Sequence, residues 1–291
     1  MNIISIVQQF GTQESCIALL EQVKWQGEPV CPFCKSDRVA RKTEKHHVGR
    51  WNCHNCLSTF KVMHGTIFER TKIPLPKWFA AIAILLNAKK SVSSYQLARD
   101  LDLTQPTAWY MAMRIRKAMQ EDGAFLRGIV EADEAYLGGR KRKRNDRDDD
   151  KPAKRGPSGK KMAVLGAVER DGKVKATAAP RVTTKLINYF LRRNVDPRAM
   201  LITDQYPGYN EVRDWISHKR INHSKRYVDG DIHTNTIEGF WALVKRAIAG
   251  QHHHYTLDWA DRYIDEATYK YNTRRSETPF ADFMARACGI A

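Results

Sequence analysis

Two close cysteine pairs, Cys31-Pro32-Phe33-Cys34 and Cys53-His54-Asn55-Cys56, constrain this chain more than any other feature, with 18 residues between them. Two thiolates three apart on a tight turn present both sulfurs to one ion, and a second such turn completes a tetrahedron with no open position. The spacing is that of a four-cysteine zinc ribbon. Residues 27–70 are therefore expected to form a small module with Cys31, Cys34, Cys53 and Cys56 as ligands of a structural Zn2+. Cys16 and Cys288 remain as free thiols, a usage that fits a reduced compartment. His46 and His47 stand nearby, but four cysteines already suffice. Arg38, Arg41, Lys42, Lys45 and Arg50 fall on the intervening hairpin, either as a phosphate-contacting surface or as a solvated face.

The 291 residues hold 49 Lys and Arg against 32 Asp and Glu, a net charge of +17. Such an excess points to a polyanionic partner, nucleic acid ahead of an anionic membrane surface. No apolar stretch approaches the roughly 20 residues of a spanning helix, and Trp78 to Leu86 reads as a buried helix instead. The N-terminus lacks the pattern of a secretory signal. At 42% hydrophobic, the chain supports a sizeable core with smaller appended modules.

Residues 1–26 show helical spacing in Ile17, Leu20, Val23 and Trp25. Pro74 and Pro76 set a helix start at Lys77, and residues 71–122 read as helical. Within them, Ser93 to Leu101, the turn Asp102-Leu103 and a second helix from Thr104 have helix-turn-helix character. Ala108, Ala112, Ile115 and Met119 would face inward, leaving Thr107, Tyr110, Arg114 and Lys117 outward as base or phosphate contacts. An ordinary three-helix packing unit with a basic face fits the same signature.

From residue 123 the texture becomes mixed α/β. Strands are expected at Gly128 to Leu137, Met162 to Glu169, Val174 to Pro180 and Met200 to Thr203. Helices are expected at Thr184 to Arg193, Pro207 to Ser217, Thr236 to Ala249 and Leu257 to Asn272. Residues 138–161 hold too few apolar side chains to fold alone. Their run Arg140, Lys141, Arg142, Lys143 and Arg144 either grips DNA or solvates a linker.

Acids stand where a solvated loop does not explain them. Asp133 lies within the apolar run from Ile129 to Tyr136, and carboxylates in a sheet need a metal or a cation as partner. Strand alternation puts Glu131 on the face of Asp133 and Glu134 on the other; Glu131 reads as an ion-paired or surface acid more than a metal ligand. Leu201-Ile202-Thr203 closes on Asp204, at a strand end where α/β sheets present functional groups. On the following helix, Ile237, Trp241, Val244 and Ile248 share a core face, while Asn235, Glu238, Ala242 and Lys245 line the neighbouring one. Asp133, Asp204 and Glu238 are 71 and 34 residues apart. If they converge, they suit two Mg2+ or Mn2+ ions and phosphodiester chemistry.

Together, Val130-Glu131-Ala132-Asp133-Glu134-Ala135-Tyr136-Leu137-Gly138-Gly139, Ile202-Thr203-Asp204, Asn222-His223-Ser224, the segment from His233 to Arg246, and Tyr271-Asn272-Thr273-Arg274-Arg275 resemble the bacterial insertion-sequence transposases related to Merlin elements, of the DDE class. The resemblance spans nearly the whole chain, zinc ribbon included. It implies an RNase H-like mixed-sheet catalytic domain over 123–291 that binds inverted-repeat ends of double-stranded DNA, cleaves at them and transfers the 3′ ends to target DNA. It also implies an oligomer, at least a dimer on DNA, in the bacterial cytoplasm and nucleoid. Asp133 and Asp204 would be the metal-binding aspartates and Lys245, followed by Arg246, the basic position after the third ligand. That ligand is Asn235 or Glu238, and an anionic oxygen suits Mg2+ better than an amide. His223 and His233 sit in the shared motifs as candidates for the scissile phosphate, and His252, His253 and His254 read as a DNA-facing loop. A zinc-ribbon DNA-binding regulator without activity and a structure-specific nuclease of the same fold are the competing functions.

Overall fold

The computed structural model describes residues 2–43, 48–121, 123–137, 161–221, 233–252 and 256–289. They form two compact units, Met1–Gln120 with Arg275–Ala291, and Glu121–Arg274.

The first unit begins with α1 (Ile3–Gln9) and α2 (Gln13–Trp25), the latter opened by a reciprocal cap between Thr12 and Ser15. The ribbon follows as an antiparallel three-stranded sheet of β1 (Val39–Arg41), β2 (Arg50–Cys53) and β3 (Thr59–Lys61). Trp25 meets Trp51 and Phe60 edge-on, at centroid distances of 5.3 and 6.1 Å, which joins α2 to the ribbon through aromatic contact. α3 (Leu75–Asn87) starts two residues earlier than Lys77. Pro76 is accommodated inside the first turn, where a missing N–H costs nothing. The apolar α3 is the centre of this unit, with Trp78, Phe79, Ile82 and Leu85 buried.

α4 (Ser94–Leu101) and α5 (Gln105–Ala118) form the expected helical pair. The Ser93 hydroxyl accepts from the Gln96 N–H, and Asp102 ends α4 in the left-handed region at φ 49°. The inward face of α5 is wider than the four residues expected, because Met111, Met113 and Arg116 are buried beside Ala108, Ala112, Ile115 and Met119.

The second unit contains β4 (Ile129–Leu137), β5 (Met162–Glu169), β6 (Val174–Ala179), α6 (Thr184–Asn194), β7 (Met200–Thr203), a 3-10 helix at Pro207–Asp214, β8 (Ser217–Arg220), α7 (Asn235–Ala247), a wide turn at Ile248–His252, and α8 (Leu257–Asn272). The strand order is β6-β5-β4-β7-β8, antiparallel from β6 to β4 and parallel from β4 to β8. This mixed sheet is the RNase H-like arrangement. One face buries Val130, Ala132, Leu165, Ile187 and Tyr209, and the other buries Ala135, Leu137, Val164, Ile237 and Trp241. Two expectations change here: the helix expected over Pro207 to Ser217 is a shorter 3-10 segment, and β8 follows it. Ser217-His218-Lys219-Arg220 carries no apolar alternation, which suits an edge strand guarded by charge and hides it from periodicity.

The chain then returns to the first unit with α9 (Pro279–Ala287), where Phe280 stacks on Phe10 and meets Phe79 edge-on. Residues 275–291 thus belong with the N-terminal part instead of the catalytic region expected over 123–291. Among the described residues no helix is long and apolar enough to cross a membrane.

Candidate functional site

The four cysteines of the ribbon converge. Their sulfurs all lie within 4.8 Å of one another, with Cys31 to Cys56 at 3.6 Å and Cys34 to Cys53 at 3.5 Å. A tetrahedron of thiolates at about 2.3 Å from zinc has edges of roughly 3.8 Å, so the donor set and its size fit that ion. Backbone N–H groups of Asn55 and Cys56 donate to the Cys53 sulfur at 3.4 and 3.5 Å. Hydrogen bonds from Ser58 lead in drawing the Cys56 thiol down to about 6. Among the described residues this is the one group of three or more His, Cys, Asp or Glu side chains gathered closely enough to hold a metal.

The acids assemble more loosely, where β7 ends beside the middle of β4. The last rung of that parallel pair joins Glu131 to Ile202, so Asp133 and Asp204 each lie two residues beyond it in the same direction. α7 covers this face of the sheet, and the indole Nε1 of Trp241 donates to Asp133 Oδ2 at 3.1 Å. Burial pushes the Asp133 carboxyl up to about 6; the charges of Asp204 and Glu238 add to the rise, against hydrogen bonds from the Glu134 backbone and Trp241. Asp204 Oδ1 accepts from the Tyr206 N–H at 2.9 Å. Glu238 is exposed in the first turn of α7, its Oε1 accepting from the Thr234 hydroxyl at 3.1 Å. Asn235 is the exposed first residue of that helix, and Lys245 and Arg246 are exposed in its last turn.

Gly166 explains how Trp241 reaches Asp133. It is the β5 partner of Asp133, and a Cβ there would fall 2.7 Å from two indole carbons of Trp241. Only a glycine lets the ring lie on the sheet at this point.

Alternation along β4 sorts the neighbouring acids as expected. Glu131 is fully buried on the Asp133 side and ion-paired to Arg170 at 2.8 Å. Glu134 turns the other way, where the buried Tyr209 hydroxyl donates to its Oε2 at 3.0 Å. Burial, followed by the charges of Asp133 and Asp204, lifts the Glu134 carboxyl to about 7. Neither the Tyr209 nor the Trp241 contact has a local signal in the sequence, since each joins residues 75 or more apart.

The basic candidates divide. Arg114 does not project freely: two of its guanidinium nitrogens donate to the Glu69 carbonyl at 3.1 Å and its plane lies over Trp78 and Tyr110. Arg41 is likewise paired with Glu21 and stacked on Trp51. Lys117 is exposed. Arg140, Lys141, Arg142, Lys143 and Arg144 lie outside the described residues, as do Lys45, His46, His47, His223, His253 and His254.

A family model described as the ISXO2-like transposase domain matches residues 125–272, and one described as a transposase zinc-ribbon domain matches residues 11–59. An "uncharacterized protein in transposable element ISH50" of Halobacterium salinarum is 27% identical over 253 residues, covering 82% of this chain and 84% of that one. A Haemophilus influenzae "uncharacterized transposase-like protein" is 26% identical over 102 residues, 34% of this chain and 81% of its own. Among solved structures, the Mos1 mariner paired-end complex with Mn is 18% identical, covers 72% of this chain and 75% of that one, and superposes with a TM-score of 0.30.

Proposed function

This chain belongs to the ISXO2-like transposase family, and from that premise we propose that it binds the inverted-repeat ends of its element, cleaves there, and joins the freed 3′ hydroxyls to target DNA. The observation that carries the proposal is the register that sets Asp133 and Asp204 each two residues beyond the last rung between β4 and β7, with Glu238 in the first turn of α7, the helix that covers this face; burial there, with the charges of Asp204 and Glu238, raises the Asp133 carboxyl to about 6. Mutually repelling carboxylates in the middle of one strand and just past the end of its parallel neighbour are a costly arrangement, and hard oxygen donors of this kind suit Mg2+ or Mn2+. Held by Asp133, Asp204 and Glu238, two such ions would supply an activated attacking oxygen and a stabilised leaving oxygen. Glu238 is favoured over Asn235 as the third ligand because an anionic oxygen suits Mg2+ better than an amide.

The chain's own groups do the rest. Trp241 orients the Asp133 carboxylate, and Lys245 and Arg246 face solvent from the end of α7, placed to hold phosphates. The ribbon, folded around Zn2+ by Cys31, Cys34, Cys53 and Cys56, contributes a DNA-gripping surface with the exposed Lys117 on α5. Water opens the phosphodiester at the end, and the new 3′ hydroxyl attacks a target phosphodiester in turn, with no covalent bond to protein. Bringing two ends to one target asks for at least a dimer on DNA.

The test is joining of labelled inverted-repeat ends to a plasmid. The wild-type chain should cut and join, and Asp133→Asn should bind ends but do neither. Cutting without joining would make it a nuclease, and undiminished cleavage by the variant would remove Asp133 from the chemistry.

A further inference from the structure

We propose that Glu131 is a positioning residue of the catalytic site, clamping the start of α7 to β4 so that Glu238 keeps its place relative to Asp133. The inference rests on the reading of Asp133, Asp204 and Glu238 as ligands of divalent ions.

An α-helix begins with N–H groups that have no partner within the helix. At α7 they are met from another element. Glu131 Oε2 accepts from the backbone N–H of Thr236 at 2.8 Å and of Ile237 at 3.1 Å, and Oε1 accepts from the Thr236 hydroxyl at 3.0 Å. Arg170 completes the clamp: its Nε donates to the same Oε1 at 2.8 Å and its Nη2 to the His233 carbonyl at 3.2 Å. A carboxylate this buried, with its oxygens taken by four donors, has no lone pair directed at an ion. That separates it from the metal-ligand alternative.

Thr234, at the N-cap of α7, makes no capping bond of its own. Its hydroxyl donates to Glu238 Oε1 at 3.1 Å, while Glu131 meets the first N–H groups of the helix. Farther along the helix, Trp241 binds Asp133. α7 is therefore fastened to β4 at two points, Glu131 and Asp133, two residues apart on one strand face. Glu238 lies between these fastenings along the helix, so its height and rotation follow from both. Charge-assisted bonds to a helix start are well suited to such a role, since the helix dipole favours an anion there.

The experiment uses the full-length, zinc-loaded chain and Mn2+ as the probe, with free Mn2+ followed by electron paramagnetic resonance in the absence of DNA. Glu131→Gln should weaken Mn2+ binding by about tenfold or more, as is typical when a group orienting a metal ligand is lost. Its affinity for end DNA should stay at the wild-type value while the cleavage rate falls, and Glu131→Asp should lie between the two. Ile187→Ala, in the core on the opposite sheet face, serves as a control that lowers the melting temperature without moving Mn2+ affinity. Wild-type Mn2+ affinity in Glu131→Gln overturns the inference. If that variant does not fold, Thr236→Val, which deletes a single donor, should weaken Mn2+ binding several-fold, and an unchanged value there overturns it instead. Asp133→Asn measured alongside tells whether the metal reading falls too: if it loses Mn2+ while Glu131→Gln keeps it, only the positioning role of Glu131 is lost.

Discussion

Asp133 and Glu131 share one face of one strand, yet their surroundings treat them oppositely. Glu131 is saturated by donors, whereas Asp133 has one indole and a backbone N–H against two neighbouring carboxylates. The consequence for Asp133 is a carboxyl that holds its proton to about 6 in the folded chain, above the ordinary 3.8. A raised folded value means that the folded state binds the proton more tightly. The stabilisation is complete below about pH 4 and is lost as the pH climbs through 6. Without divalent ions, Asp133→Asn should therefore be more stable than wild type at pH 8, by about 3 kcal/mol at most at 1.36 kcal/mol per pH unit. The difference should vanish near pH 4. Thermal unfolding of both chains at the two pH values checks this, and a variant no more stable at pH 8 would show that the buried charge costs little. The same variant should lose cleavage, the usual exchange of stability for activity at a working site.

At the scale of elements, α7 and the ribbon each depend on one local device. For α7 it is the flat seat at Gly166. Gly166→Ala puts a methyl group 2.7 Å from the Trp241 ring, which has to move. A loss of about 1–3 kcal/mol is expected from such overpacking, together with a fall in cleavage as Asp133 loses its indole donor. Melting curves and end-cleavage rates report the two effects; normal cleavage would show that the indole bond is dispensable. For the ribbon the device is its four-cysteine cluster, whose donor set suits Zn2+. Its three strands are short, and Cys31 and Cys53 occupy buried positions that in a larger domain would be filled by apolar side chains. A strong chelator, or Cys53→Ser, should release one zinc per chain and unfold the ribbon. Affinity for end DNA should drop while the α/β unit keeps its circular dichroism. Retained end binding after zinc loss would move DNA recognition away from the ribbon.

For the whole molecule the governing quantity is the net charge of +17. Binding that neutralises phosphates releases counterions, so affinity for DNA should fall steeply and log-linearly with salt. Replacing Arg140, Lys141, Arg142, Lys143 and Arg144 with alanine should flatten that slope by as much as about 4.5, at 0.9 per phosphate contact. Titration of labelled duplex from 50 to 300 mM salt is the measurement. An unchanged slope would assign the run to a solvated linker.

The sequence by itself determined whatever is written in short-range spacing. The cysteine knuckles announce their own cluster because each pair needs nothing beyond one turn. The apolar runs of β4, β5 and β7 and the amphipathic stripes of α4, α6 and α7 are legible for the same reason, since each periodicity reflects a single buried face. Tertiary structure decided the rest. β8 is a strand only because β7 offers it a partner, and its charged side chains give no sign of that. Arg114, an outward contact by helical spacing, is claimed by the Glu69 carbonyl 45 residues away. Above all, Glu131 and Asp133 are near-identical acids in sequence. One became a clamp and the other a strained carboxyl because α7, more than a hundred residues on, brings backbone N–H groups to the first and an indole with a second acid to the second. Bonds of that length along the chain depend on the packing of whole elements, and no window of sequence contains them.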